Sequence, residues 1–301
     1  MDELLQIYDM ERTEKAQASG MNAPAENFYL LNDPKILTEH MLHVLWERNQ
    51  LKPFFSTEDN LFSPSAVLLL LGQQCGENKT SSEPCLILNK RSRKVRQPGD
   101  LCCPGGSVSP RLDACLSTLL TLPGFPLMRW PCWSQWRDRY PDEARMLKLL
   151  FATGLRECFE EMRLNPFGVQ LMGPLPPRRL LMFRRVIFPM AAWIPRQKRF
   201  AVNWEVEKVV YIPLRYLLNP DSHACYRVQF TPYIERKLHR KTQDFPCIVY
   251  KNQNENELLW GATYHIVIGF LEMIFGFKPP DMASLSVIHG VMEENYLTGS
   301  G

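Results

Sequence analysis

The sequence predicts a mixed α/β fold in which helices cover both faces of a β-sheet. Three observations predict it. Short unbroken apolar runs at 66–71, 85–88, 186–188, 209–212 and 248–250 are bounded by Gly, Pro or polar residues; longer segments of helical periodicity lie between them; and there is no internal repeat or low-complexity tract. Apolar runs of this length read as buried strands, and strands interleaved with a few helices pack as a layered sandwich.

The chain has 301 residues, 45% of them hydrophobic, enough to bury a sizeable core. One domain is expected over 33–280, after a mobile polar tail over 1–32 and before a C-terminal extension over 281–301. Lys and Arg total 35 against 32 Asp and Glu, and a net charge of +3 gives no global field for nucleic acid. Nine scattered cysteines without a C-x-x-C pair fit a reduced, cytoplasmic protein. The first residues lack the basic and apolar regions of a secretory signal, and the apolar stretch 66–72 is too short to cross a bilayer, so no membrane is expected. A homodimer stays open.

Taken in order, Asn32-Asp33-Pro34 is a start signal for a helix through Ile36, Leu37, Met41, Leu42, Val44 and Leu45. His40 and His43 on it form an H-x-x-H pair with no accompanying ligand, which favours surface or packing roles over metal. The runs at 66–71 and 85–88, separated by a polar loop, predict a hairpin. Over 107–140 the pattern becomes rich in Pro and Trp, with Trp130, Trp133 and Trp136 at intervals of three, and reads as a mainly helical insertion. Its tryptophans either form the small core that an insertion needs or make a lid over substrate. Pro141-Asp142-Glu143 then opens a long helix that Asn165-Pro166 stops. Residues 263–274 have the apolar density of a buried helix.

On the helix that Pro141 opens, Leu147, Phe151, Leu155, Cys158, Phe159 and Met162 fall on one stripe, which faces the core. Glu157, Glu160 and Glu161 lie together on the opposite face. By pattern alone this is the solvated side of an amphipathic helix, with Arg156 and Glu160 as an ordinary i,i+4 pair. The alternative is that crowded carboxylates wait for a hard cation such as Mg²⁺.

Two further stretches bear on that choice. Upstream is Arg91-Ser92, Val95-Arg96, Pro98-Gly99 and Pro104-Gly105-Gly106; then comes Arg156-Glu157-Cys158-Phe159-Glu160-Glu161-Met162-Arg163-Leu164. The glycine pair and the Arg-Glu-apolar-x-Glu-Glu set resemble the signature of Nudix hydrolases. The upstream element resembles that of the coenzyme A diphosphatases in that superfamily, as do Glu205-Val206 leading to Tyr211-Ile212-Pro213-Leu214 and the later Trp260-Gly261-Ala262-Thr263. The landmarks span about residues 65 to 275. The chain departs from the pattern in three ways. The loop between Gly106 and Arg156 is much longer, so an insertion splits the signature. Leu112 stands where its first glutamate belongs, with Asp113, Asp142 and Glu143 as substitutes. Met162 stands at its glycine, so the helix is expected to run on to Asn165.

The resemblance implies an α/β/α sandwich around a mixed sheet and a hydrolase that cleaves the pyrophosphate bond of coenzyme A or a related nucleotide-linked diphosphate, with Mg²⁺ or Mn²⁺. Glu157, Glu160 and Glu161 would hold the metal, Arg156 would orient them, and Glu205 is the candidate base. Arg91, Arg96, Gly105 and Gly106 would contact substrate, the first two through phosphate. The basic run Lys90 to Arg96 is otherwise an ordinary solvated loop, and Trp260 and Gly261 are expected to be structural, the glycine allowing close strand-to-helix packing. The rival reading is a catalytically inactive nucleotide-sensing or protein-binding module on the same fold. Nucleic-acid binding through Lys90 to Arg96 is disfavoured, because the run lacks interleaved aromatics.

Overall fold

Strand β1 (Ser63–Cys75) organises the molecule because both of its faces are apolar. Ala66, Leu68 and Leu70 point into one core, while Val67, Leu69 and Leu71 point into another. Strict alternation of side chains is what lets one strand serve two layers. The structure, a computed structural model, describes residues 25–51, 54, 63–75, 82–180, 185–197, 199–251, 255–294 and 296.

β1 pairs antiparallel with β2 (Ser82–Arg91), the expected hairpin, and parallel with β7 (Arg185–Ile194). β3 (Leu101–Cys102) and β8 (Val206–Pro213) pair with β2, and β4 (Gly105–Ser107) pairs with β1. β5 (Gln170–Pro174) and β6 (Arg178–Leu180) pair with β7. The result is an eight-stranded mixed sheet. One face is covered by α1 (Pro34–Leu51) and α7 (Gly261–Phe275). The other is covered by α2 (Pro110–Leu119), α3 (Trp133–Arg139) and the long α4 (Pro141–Met162). The α/β/α sandwich is therefore present. His40 Nε2 lies 2.9 Å from the carbonyl oxygen of Ile274, joining α1 to α7, which accounts for this histidine by packing.

A second sheet was not expected. β9 (His223–Phe230), β10 (Thr242–Lys251), β11 (Asn256–Trp260) and β12 (Val287–Met292) run in the order β11-β10-β9-β12, with β12 parallel to β9. The short helices α5 (Leu214–Leu217) and α6 (Pro232–Leu238) flank β9. Residues 281–301 are thus more than an appendage, since β12 lies within them. At the other end, Ala25–Asn32 forms a 3₁₀ turn that buries Leu30 and Leu31, so the packed chain begins before residue 33; residues 1–24 of the expected tail lie outside the described residues. No described helix is long and apolar enough to cross a membrane.

The segment 107–140 is helical, as expected, but has no core of its own. Leu120, Leu127, Trp130, Trp133 and Trp136 join the same cluster as Leu68 and Leu70 of β1. Trp136 is fully buried, 5.7 Å from the Trp130 ring and 6.0 Å from that of Trp46. The lid reading fails for these three rings, because buried indoles offer no face to a ligand.

Candidate functional site

The end of α4 is set by Arg163, whose φ of 54° and ψ of 38° are left-handed. Its N–H donates to the Phe159 carbonyl oxygen at 3.0 Å, closing the helix there instead of at Asn165. Read from Arg156, the signature glycine falls at Arg163 and not at Met162, which is wholly buried in the core. Phe159 also departs from expectation: it is exposed rather than part of the core stripe, and the Arg163 guanidinium lies 5.0 Å from its ring centre.

Within α4, Arg156 is held from four sides. Its Nε donates to Asp113 Oδ1 at 2.7 Å and its Nη2 to the Ser107 carbonyl oxygen at 3.1 Å. Its Nη2 also lies 3.0 Å from Glu157 Oε1, and its Nη1 donates to Glu160 Oε2 at 3.1 Å. Asp113 has no exposed surface; it also accepts from the Ser109 N–H at 2.6 Å and the Thr153 hydroxyl at 2.8 Å. Burial alone would raise the Asp113 pKa, yet these donors hold it below the usual carboxylate value. Of the three substitute acids it is Asp113, next to Leu112 on a helix of the insertion, that bonds Arg156. Leu112 itself is exposed, as is Asp142, which pairs with Arg145. The Arg156 pKa is pushed up, mainly by its bond to Asp113.

The three glutamates do not share one solvated face. Glu160 is about half exposed and leans on Arg156. Glu161 is only 9% exposed and turns under the sheet, where Asn89 Nδ2 donates to its Oε2 at 2.8 Å. Glu157 packs against Gly106, where a Cβ would lie 2.5 Å from the carboxylate. Gly105 has φ 145°, and a Cβ there would come within 2.2 Å of the Ala66 carbonyl oxygen. Gly105 is therefore demanded by close approach to backbone, whereas a Cβ at Gly106 would displace the Glu157 carboxylate. Gly261 has a different reason from the one expected: nothing crowds it, and its φ of 63° is what favours glycine.

Burial, Glu157 and Glu205 push the Glu161 pKa up to about 8, against the opposing bonds from Asn89 and the Gly105 N–H. Burial chiefly raises that of Glu157 as well. Asn89 Oδ1 is buried without a hydrogen-bond partner. Glu161, which meets only neutral donors, and Glu157, which shares one guanidinium with Asp113 and Glu160, are hard oxygen donors short of counter-charge beside an unsatisfied amide oxygen, which fits a divalent cation. Among the described residues no three His, Cys, Asp or Glu side chains converge as a complete metal cage. Asn89 was not singled out as functional by the sequence, and Asp113 was named only as one of three substitute acids. The signal for Asn89 was a polar residue ending an apolar strand on its buried face.

Glu205 lies at the start of β8, near enough to Glu161 to raise its pKa, and its N–H donates to Asn203 Oδ1 at 2.9 Å. The Asn203 N–H donates to the Glu161 carbonyl oxygen at 2.8 Å, so the Glu205 turn is fastened to the end of α4. Arg91 ends β2, with Nε donating to the Arg96 carbonyl oxygen at 2.7 Å, while the Arg96 side chain is exposed. The basic loop and the glutamates thus meet at the β2–β8 end of the sheet through Ser92, whose N–H donates to the Glu205 carbonyl oxygen at 2.8 Å.

No family model matches this chain, and no curated protein matches it. Solved structures overlap it loosely. An Ap4A hydrolase binary complex from C. elegans is 12% identical, covering 52% of this chain and 83% of that one at a TM-score of 0.32. A MutT/nudix family protein from Enterococcus faecalis is 12% identical, covering 77% and 68% at 0.37. The NUDIX domain of Shewanella oneidensis NrtR, complexed with ADP ribose, is 14% identical, covering 57% and 86% at 0.31. Overlaps this loose assign neither fold nor activity, and the functional reading rests on the residues themselves.

Proposed function

We propose that the chain is a Nudix-type pyrophosphohydrolase that cleaves the P–O–P bridge of a nucleotide-linked diphosphate, with coenzyme A and its thioesters as the leading substrates. The observation that carries the reading is the charged set around Arg156. A buried Asp113 fixes the guanidinium, the guanidinium fixes Glu157 and Glu160, and Glu161 is held apart from it with only neutral donors. A solvated helix face has no use for that division. Glu157 and Glu161 would hold a divalent cation, Mg²⁺ or Mn²⁺, with Asn89 Oδ1 as a neutral donor and Glu160 at the rim. When bound, the cation supplies charge neutralisation at the phosphate oxygens and acidifies water. Arg156 orients carboxylates and does not touch substrate. Gly105 and Gly106 would let backbone approach the diphosphate, Arg91 and Arg96 would provide cations for a further phosphate, and Glu205 would take a proton from the attacking water.

The test incubates the protein with Mg²⁺ and coenzyme A, acyl-coenzyme A, ADP-ribose and dinucleoside polyphosphates, with folded Glu161→Gln as control. Release of 4′-phosphopantetheine and 3′,5′-ADP, lost in the variant, is the expected result. Cleavage of another substrate alone keeps the chemistry and discards coenzyme A. Silence across the panel with either metal favours the second reading, a nucleotide-sensing or protein-binding module, for which the lean of Glu160 toward Arg156 speaks.

A further inference from the structure

The end of β2 and the loop that joins it to β3 carry five cations between Lys90 and Arg96, and part of what fixes this run lies far along the chain. Its own shorter bonds are Arg91 N–H to the Asp100 carbonyl oxygen at 3.0 Å, Gly99 N–H to the Arg91 carbonyl oxygen at 2.9 Å and the Arg91 to Arg96 contact, with longer ones of 3.3 to 3.4 Å from the Lys94 and Val95 N–H groups to Ser92 and from the Asp100 N–H to Gln97. Asp100, largely buried, accepts at Oδ1 from Trp260 Nε1 at 3.0 Å and at Oδ2 from the Tyr296 hydroxyl at 2.5 Å. Gln97, left-handed at φ 57°, donates its N–H to the Tyr296 carbonyl oxygen at 2.9 Å. The Tyr296 ring tilts over Trp260 at 6.0 Å, and Trp260 is seated against Tyr226 and Phe245 of the second sheet.

Tyr296 is itself anchored. It follows β12 by four residues, and β12 is in register with β9 over its whole length. At the other end of the loop, Ser92 bonds through its N–H to the Glu205 carbonyl oxygen and through its hydroxyl to that of Trp204, both at 2.8 Å. A continuous set of bonds therefore runs from the second sheet through Tyr296, Asp100 and the basic loop to the Glu205 turn and the end of α4.

We propose that Tyr296 is a positioning residue that closes the basic loop and so sets the affinity of Arg91 and Arg96 for substrate phosphate. The substrate half rests on the pyrophosphohydrolase reading; the structural half does not. The Asp100 carboxylate is held by two neutral donors, the Trp260 indole N–H and the Tyr296 hydroxyl, the second brought in from beyond β12. The second sheet thereby has a task in the site although none of its strands carries a catalytic residue.

The basic run is a natural trypsin substrate, so loop closure is readable without any activity. Full-length wild type, Tyr296→Phe, Asp100→Leu and Asp100→Asn are compared by limited trypsin digestion, with cleavage sites mapped by mass spectrometry. Phenylalanine keeps the ring and loses only the hydroxyl, and Asn keeps hydrogen-bonding groups toward both Tyr296 and Trp260. Cleavage within the run is expected to rise about tenfold in Tyr296→Phe and Asp100→Leu, the scale of one buried hydrogen bond lost to local opening. Other sites should stay unchanged and Asp100→Asn should stay near wild type. With coenzyme A and Mg²⁺, KM should rise several-fold in the two opened variants while kcat stays within about twofold. Unchanged cleavage in the run, or a rise at every site together, would overturn the proposal; so would an opened loop with an unchanged KM. If wild type hydrolyses no diphosphate, the functional reading fails and the digestion still decides the clamp.

Discussion

Asn89 and Lys90 are consecutive on β2, point to opposite faces of it, and each meets a cluster of carboxylates. On the Lys90 side, its ammonium lies 3.3 to 3.5 Å from Glu207, Glu255 and Glu257, and Lys208 lies 2.7 Å from Glu257. Two cations there answer three acids, and Glu257, though only 4% exposed, touches both. On the Asn89 side one cation, Arg156, answers Asp113, Glu157 and Glu160, and Glu161 is left to amide donors. Near-balanced charge ties strands together at little electrostatic expense. Excess negative charge, kept in place by a buried Asp113, is what the proposed cation site would need.

The sharpest way to break the comparison is Asp113→Ala. It should cost about 3–5 kcal/mol of stability, because it orphans Arg156, the Thr153 hydroxyl and the Ser109 N–H together, as measured by denaturant unfolding. Next is pH. The Glu161 carboxyl ionises near 4.5 in the unfolded chain and near 8 in the folded one, so between those values the folded chain holds the extra proton. Stability without metal should therefore fall as pH rises from about 5 to 8, by on the order of 2–3 kcal/mol, and Glu161→Gln should flatten the slope. Unfolding curves in chelator across that range decide it, and an unchanged slope in the variant would assign the effect to another group.

On the balanced side, Glu257→Gln should cost only about 1–2 kcal/mol, since both lysines keep Glu255, and should leave hydrolysis within about twofold. A loss as large as that of Asp113→Ala would show that the two clusters are alike after all. The smallest effect is Arg163→Gly. Relief of the left-handed backbone should stabilise the protein by up to about 1 kcal/mol, less whatever the exposed contact to Phe159 contributes.

Much of this frame was legible in the residues. The run at 66–71 gave a two-faced strand because every position is apolar, and the 263–274 density marks α7. The Arg156 to Glu161 spacing marked the helix but not its orientation, because periodicity does not say which of two i,i+4 partners finds an Asn beneath it. Asp113 was legible only as one of three substitutes, since the choice depends on how the insertion folds back on α4. Arg163 was missed through Met162, one position away, although the register from Arg156 names it. The second sheet was largely hidden. β9 and β12 mix buried and exposed positions, and their pairing joins segments far apart in the chain.

The parallel pairing of β1 with β7 has a consequence for how the chain comes into being. Ser63 meets Arg185, and both neighbouring layers depend on that ladder. Synthesised at about 5–20 residues per second, β1 leaves the ribosome on the order of ten seconds before its partner exists. For that interval an aliphatic strand with two sticky faces has one edge of its ladder, the β2 and β4 side, but not the other. Its hazard lies in the nascent chain, where residues 66–71 are apolar surface open to a holdase or to another chain until β7 arrives.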